Sequence, residues 1–181
     1  MHVDRWFSVP APEEGRLLDL AVAPVLDVGC GPGRHTAALL RRGVAALGVD
    51  ISPLAVRIAR DRGARAIRRS VFDPLPSEGA WSTALLVDGN IGIGGDPARL
   101  LRRLAGLLSP GGRVLAEVER PGTPTTSLRV RVEIDGDPGG WFPWAQVAAD
   151  GVARVAGDVG FEVRETWEAG GRWFAWLARR P

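Results

Sequence analysis

The chain has 181 residues, of which 45% are hydrophobic and 24% charged, a size and balance that suit one soluble domain with one core. Its single cysteine, Cys30, rules out an intramolecular disulfide, and no stretch approaches the roughly 18 continuous apolar residues of a membrane helix. Lysine is absent, so every basic residue is arginine; the net charge is only +2 and the Arg pairs are scattered, which argues against a phosphate-tracking surface for nucleic acid.

In chain order, Pro24–Gly29 (PVLDVG) is a short apolar run ending in glycine. Arg34–Arg42 has helical spacing, and Gly43 stops it. Ala45–Asp50 reads as a second buried strand. Ser52-Pro53 then opens a helix that runs to Gly63, a cap followed by a first-turn proline. Ala64–Phe72 is a third strand and Thr83–Val87 a fourth. Asp96-Pro97 begins a helix carrying Leu100, Leu101, Leu104, Leu107 and Leu108, Pro110-Gly111-Gly112 turns, and Arg113–Val118 is a fifth strand. Beyond Glu119 the pattern changes. Leu128–Ile134 alternates like a half-exposed strand, Asp135–Gly140 is turn-rich, and Ala145–Val159 is helical in its spacing of Val147, Val152 and Val155. Phe161–Trp167 and Trp173–Ala178 form a closing antiparallel pair.

Strands alternating with helices indicate an α/β fold: a doubly wound, mostly parallel seven-stranded sheet with helices on both faces and an antiparallel C-terminal hairpin. The chain divides into a cap segment (1–23), a ligand-binding half (24–119) and a substrate-side insertion with the sheet-closing hairpin (120–181), all within one domain. Right-handed crossovers place any ligand along one edge of the sheet.

The residues Asp27-Val28-Gly29-Cys30-Gly31-Pro32-Gly33 put an acid on a strand, then glycines at alternate positions, then a helix whose free N–H groups suit an anion. Asp50 ends the neighbouring strand, where a carboxylate accepts from both hydroxyls of a ribose. A nucleoside-containing ligand follows. The dinucleotide fingerprint G-x-G-x-x-G is not matched, because the residue three past Gly31 is Arg34, and this argues against a nicotinamide dehydrogenase.

At DVGCGPG (Asp27–Gly33) the chain resembles the class I S-adenosylmethionine-dependent methyltransferases. The resemblance continues through GVDIS (Gly48–Ser52), SVFDPLP (Ser70–Pro76), LLVDGN (Leu85–Asn90) and LSPGGRVLAEV (Leu108–Val118). It implies S-adenosylmethionine as cofactor and S-adenosylhomocysteine as product. Gly29, Cys30, Gly31 and Gly33 would line the methionine and ribose portion, and Asp27 would organise the methionine ammonium. Asp50 would bind the ribose, Ile51 and Phe72 would flank the adenine, and Asp73 would accept from its amino group. Asp88 would face the methionine end and the reactive methyl. Cys30 reads as a small filler within the turn, since no partner is placed to activate it.

On the acceptor side, His35, Asp88 and Asn90 are the candidate catalytic residues, His35 as a base in the first turn after the glycine loop. The glycine-rich loop Asp88–Gly95 departs from the N/D-P-P-aromatic segment of amino- and nucleobase-directed members. Trp6, Phe7, Trp141, Phe142 and Trp144 either wall an apolar acceptor pocket or belong to the core. The expectation is methyl transfer to a small molecule by in-line displacement. It goes with no metal, nucleic acid or membrane, with cytoplasmic residence, and with a monomer or homodimer. A non-catalytic S-adenosylmethionine-binding module serving a partner protein is the alternative.

Overall fold

The computed structural model describes residues 4–134 and 137–180. At its centre lies β1 (Val25–Val28), in which all four residues are buried. A strand of this kind needs a layer on each face and a partner on each edge. β2 (Ala46–Asp50) and β3 (Ala66–Arg68) extend the sheet on one side, and β4 (Trp81–Leu86) and β5 (Leu108–Val118) on the other, all parallel. Beyond β5 come four short strands in two antiparallel pairs outside the main sheet: β6 (Thr126–Val130) with β9 (Phe142–Gln146), and β7 (Glu133–Ile134) with β8 (Asp137–Pro138). The hairpin β10 (Phe161–Ala169) and β11 (Arg172–Arg179) closes the sheet, with β11 antiparallel to β5. The spatial order is β3-β2-β1-β4-β5-β11-β10, seven strands as the sequence predicts.

The helices are α1 (Asp4–Phe7), α2 (Gly15–Asp19), α3 (Arg34–Arg41), α4 (Pro53–Asp61), α5 (Pro97–Leu107) and α6 (Val152–Gly157). The period of two along β4 sends Ala84 and Leu86 into one core and Leu85, with Val87 just beyond the strand, into the other. α5 roofs the first with Leu100, Leu101, Leu104 and Leu107, a stripe at helical spacing, joined by Val152 and Ala156 of α6. Leu17 and Leu18 of α2, Ala38 and Leu39 of α3, and the stacked rings of Trp167 and Phe174 cover the second. The helix starts behave as the sequence implies: Ser52 and Asp96 each accept an N–H three residues on, and each is followed by proline.

Four expectations are corrected. The third strand spans only Ala66–Arg68, because the chain turns through Ser70–Asp73, where the Asp73 N–H donates to the Ser70 carbonyl. The fifth strand begins at Leu108, with Pro110-Gly111-Gly112 carried inside it near a register shift against β4. Leu128–Ile134 is divided between β6 and β7, and part of the turn that follows, Asp135 and Gly136, lies outside the described residues. The helix expected over Ala145–Val159 exists only as Val152–Gly157. Ala145 and Gln146 finish β9. Val147 and Ala149 then bond to Glu119 backbone as an extended segment, so strand pairing prevails over the helical spacing.

Small residues let the first two units close. Gly33 has φ 77°, and a Cβ there would lie 2.7 Å from that of Ala59 on α4. Gly33→Ala is therefore expected to combine left-handed strain with overpacking and to destabilise the fold by about 2 kcal/mol or more. Urea denaturation of the purified variant measures this directly.

Candidate active site

The carboxyl ends of β1, β2, β4 and β5 gather at one edge, where a doubly wound sheet places its ligands. There the chain leaves β1 through Gly29, Gly31 and Gly33, all left-handed (φ 69°, 53° and 77°). The loop rests on the end of β2: the Gly29 and Cys30 N–H groups donate to the Val49 carbonyl. Asp50 straddles this junction. One carboxylate oxygen accepts the Gly31 N–H and the other the Ser52 N–H, each at 2.8 Å. Each oxygen keeps a further lone pair, which is what a ribose diol requires.

Asp27 sits beneath the loop, 2% exposed, with one oxygen accepting both the Thr36 N–H (3.1 Å) and the Thr36 hydroxyl (2.6 Å). Burial pushes its carboxyl above the ordinary value, against the opposing pull of His35 and the Thr36 hydrogen bonds. Both its bonds go to the first turn of α3, so it ties that turn to β1. Cys30 fills the space left by Gly48, where a Cβ would lie 2.6 Å from its sulfur. Burial, with Asp27 and Asp50 adding to it, pushes the thiol well up, which leaves it inert as a nucleophile. Ile51 is 70% exposed beside Asp50. Phe72 packs against Gly94 and under the Arg99 guanidinium, 4.4 Å from its ring. Asp73 is exposed, and its side chain turns back toward the Ser70 N–H.

Past β4 the turn Asp88–Gly95 folds against the glycine loop. The Asn90 amide donates to the Val28 and Gly29 carbonyls, both at 2.9 Å. Trp144 of β9 lies over this turn: a Cβ on Gly92 would come within 2.8 Å of the indole nitrogen, and Phe142 meets the indole edge-on. Trp141, by contrast, is exposed and stacks with Arg131. Phe7 is exposed beside Arg62, whose guanidinium bonds the Phe7 carbonyl.

Asp88 belongs to an ion network that the sequence reading missed. Its carboxylate meets Arg5 at 2.8 Å, Arg34 at 2.9 Å and Arg172 at 3.4 Å. Glu14, fully buried, takes both terminal nitrogens of Arg34 at 2.6 Å, Arg172 at 2.7 Å, the Ala11 N–H at 2.7 Å and His35 Nε2 at 3.1 Å. Glu117 binds Arg172 in a two-pronged pair, at 2.9 and 2.7 Å. Burial opposes the Glu14 charge, but hydrogen bonds from His35, Arg34 and Arg172 outweigh it and hold the carboxyl well below the usual carboxylate range. Burial likewise opposes the Arg172 charge, and the bonds to Glu117 and Glu14 overcome it.

This geometry bears on the expected base. His35 is 3% exposed and its Nε2 faces Glu14, so it points into the network. Asn90 likewise spends its amide on the glycine loop. One signal of the network was available beforehand: Glu117 interrupts a strand whose neighbours Leu115, Ala116 and Val118 are apolar. Glu14 and Arg172 looked like ordinary surface charges.

Similarity to known proteins agrees with the site. Residues 25–112 match the family model described as a methyltransferase domain. Over that segment and in its fold, the chain is similar to the S-adenosylmethionine-dependent methyltransferases. It is 34% identical over 131 residues to a ubiquinone biosynthesis O-methyltransferase of Xanthomonas oryzae pv. oryzae, covering 61% of this chain and 54% of that protein. It is 34% identical over 143 residues to a trans-aconitate 2-methyltransferase of Methylobacterium radiotolerans, covering 75% of this chain and 50% of the relative. The chain thus spans about half the length of the curated relatives it matches. A Bacteroides fragilis S-adenosylmethionine-dependent methyltransferase, solved with S-adenosylhomocysteine, superposes with a TM-score of 0.83 at 26% identity, covering 100% of this chain and 83% of that one.

Glu14→Gln leaves two buried guanidiniums short of their counter-charge and is expected to cost about 3–5 kcal/mol of stability. The sign of the pH effect follows from the lowered carboxyl: its stabilisation is complete above the ordinary value of 4.5 and is lost as pH falls below it. Thermal melts from neutral pH downward should show wild type losing more stability below that point than Glu14→Gln does.

Proposed function

We propose that the chain transfers a methyl group from S-adenosylmethionine to a small organic acceptor. The observation that carries this reading is Asp50. Its two oxygens stand at the end of β2, each holding one backbone N–H and each with capacity for a ribose hydroxyl. No helix among the described residues is long and apolar enough to cross a membrane. The names of two relatives, an O-methyltransferase of ubiquinone biosynthesis and a trans-aconitate methyltransferase, favour a small acceptor.

In this reading the segment 24–119 holds the donor. The left-handed glycine loop brings backbone close to the ligand, Ile51 and Phe72 border the adenine with Asp73 at its rim, and the Asp88 turn meets the amino-acid end. The segment 120–181 supplies the acceptor side through β9, whose Trp144 lies over the Asp88–Gly95 turn. α1 closes from above, held by Arg5 on Asp88. When bound, the donor would supply an electrophilic methyl on a sulfonium: an acceptor lone pair would bond to that carbon in line as the carbon–sulfur bond breaks and the thioether of S-adenosylhomocysteine leaves. The chain's part is to align the two and exclude water. Asp88, Glu14 and Glu117 have guanidinium partners and His35 faces Glu14, so these groups serve to orient the site.

Titration calorimetry with S-adenosylhomocysteine tests the donor site. Wild type should bind, and Asp50→Ala should weaken binding by roughly 30- to 100-fold, the loss of two hydrogen bonds to a charged group. Absence of binding by folded wild type refutes the reading. A panel of small phenols and carboxylic acids assayed for S-adenosylhomocysteine release tests turnover. Binding without turnover across the panel supports instead a module that acts with a partner protein.

A further inference from the structure

The peptide that follows β4 is held in an unusual way. Asp88 and Ser77 are the two non-glycine residues with a left-handed backbone among those described; Asp88 has φ 57°, and Gly89 follows at 78°. Left-handed backbone is disfavoured for a residue with a side chain and persists only where its surroundings enforce it. Among the described residues, the Asp88 carbonyl accepts no hydrogen bond and the Gly89 N–H donates none. The Asp88 N–H is satisfied, but by a side chain: it donates to Glu117 at 2.6 Å.

Glu117 is well placed for this and is itself constrained. The β4–β5 register pairs Leu86 with Ala116, so Glu117 lies one step on, beside the point where β4 ends. Its carboxylate stands in for the ladder carbonyl that would otherwise continue the strand. Arg172, at the start of β11, grips both oxygens of Glu117, and its remaining terminal nitrogen lies 2.7 Å from Glu14. A purely architectural contact between three strand ends would be made more cheaply by apolar side chains, because buried ions carry a large desolvation cost. The arrangement leaves one peptide without a hydrogen-bond partner among the described residues at this edge.

We infer that Glu117 and Arg172 are positioning residues for the amino-acid end of the donor. They lock Asp88 in its left-handed conformation and thereby hold the free Asp88 carbonyl as the acceptor for an ammonium group. This rests on the reading of the edge as an S-adenosylmethionine site. Neither residue touches the donor; both act through the peptide at Asp88.

The test separates the two halves of the ligand. S-adenosylhomocysteine and 5′-methylthioadenosine share the nucleoside and the thioether, and only the first has the amino-acid group. Glu117→Gln is isosteric but turns an NH₂ toward either Arg172 or the Asp88 N–H, so one bond of the pair must break. Calorimetry should show S-adenosylhomocysteine weakened about 10-fold while 5′-methylthioadenosine stays within about 2-fold of wild type. Arg172→Lys, which keeps the charge and loses the fork, should give the same split to a smaller degree. Parallel weakening of both ligands, or no weakening of either, in variants with native circular dichroism overturns the inference. Wild type that binds neither ligand refutes the donor site itself.

Discussion

One carboxylate holds the site's architecture together. Glu14 is taken wholly out of water, which is tolerable only because two arginines, a histidine and a backbone N–H converge on it. Those groups come from α3, β11 and the segment before α2, elements that no local preference would bring together. Once Arg34 and Arg172 are in place for Glu14, Arg34 shares one terminal nitrogen with Asp88 and the other nitrogens of Arg172 reach Glu117. The network therefore stitches the segment before α2 and the last hairpin to the middle of the sheet, at the edge where β1 and β4 end.

Arginine is suited to this where lysine is not. Arg172 meets three carboxylates, Glu14, Glu117 and Asp88, from a single planar group. An ammonium would satisfy them only as a point charge. The glycine-loop half of the edge works on a different principle. There the glycine loop and Asp50 rely on backbone shape and a single acid, and the surrounding contacts between Gly33 and Ala59 or Gly48 and Cys30 are steric. Charge orders the surroundings of Asp88 and Glu117; close packing orders the glycine loop and the end of β2.

The contrast explains what could be read from the chain alone. The unit from β1 through the glycine loop to α3, and Asp50 at the end of β2, are legible because turn glycines, apolar runs and cap residues are local signals. The same holds for Ser52-Pro53 and Asp96-Pro97. The helix expected over residues 145–159 failed because β9 and the segment after it are shaped by distant partners, β6 and Glu119. A spacing of valines carries no information about those. His35 illustrates the same limit at the site: its position after the loop is local, but its orientation toward Glu14, 21 residues earlier, is not. Glu117 also has a local signature, a charge inside an apolar strand, and its meaning depends on Arg172, 55 residues on.

Arg5 and Arg172 share Asp88, and Arg172 also meets Glu14, which has a thermodynamic consequence. The segments 5–14 and 169–173 are held by the same few charges, so fraying of either leaves those charges partnerless and loosens the other. Local opening at two places far apart along the chain becomes a single cooperative event. A ligand that settles against Asp88 would share in that balance: ordering both segments would cost conformational entropy that its contacts must offset, and amide hydrogens there would exchange more slowly in its presence.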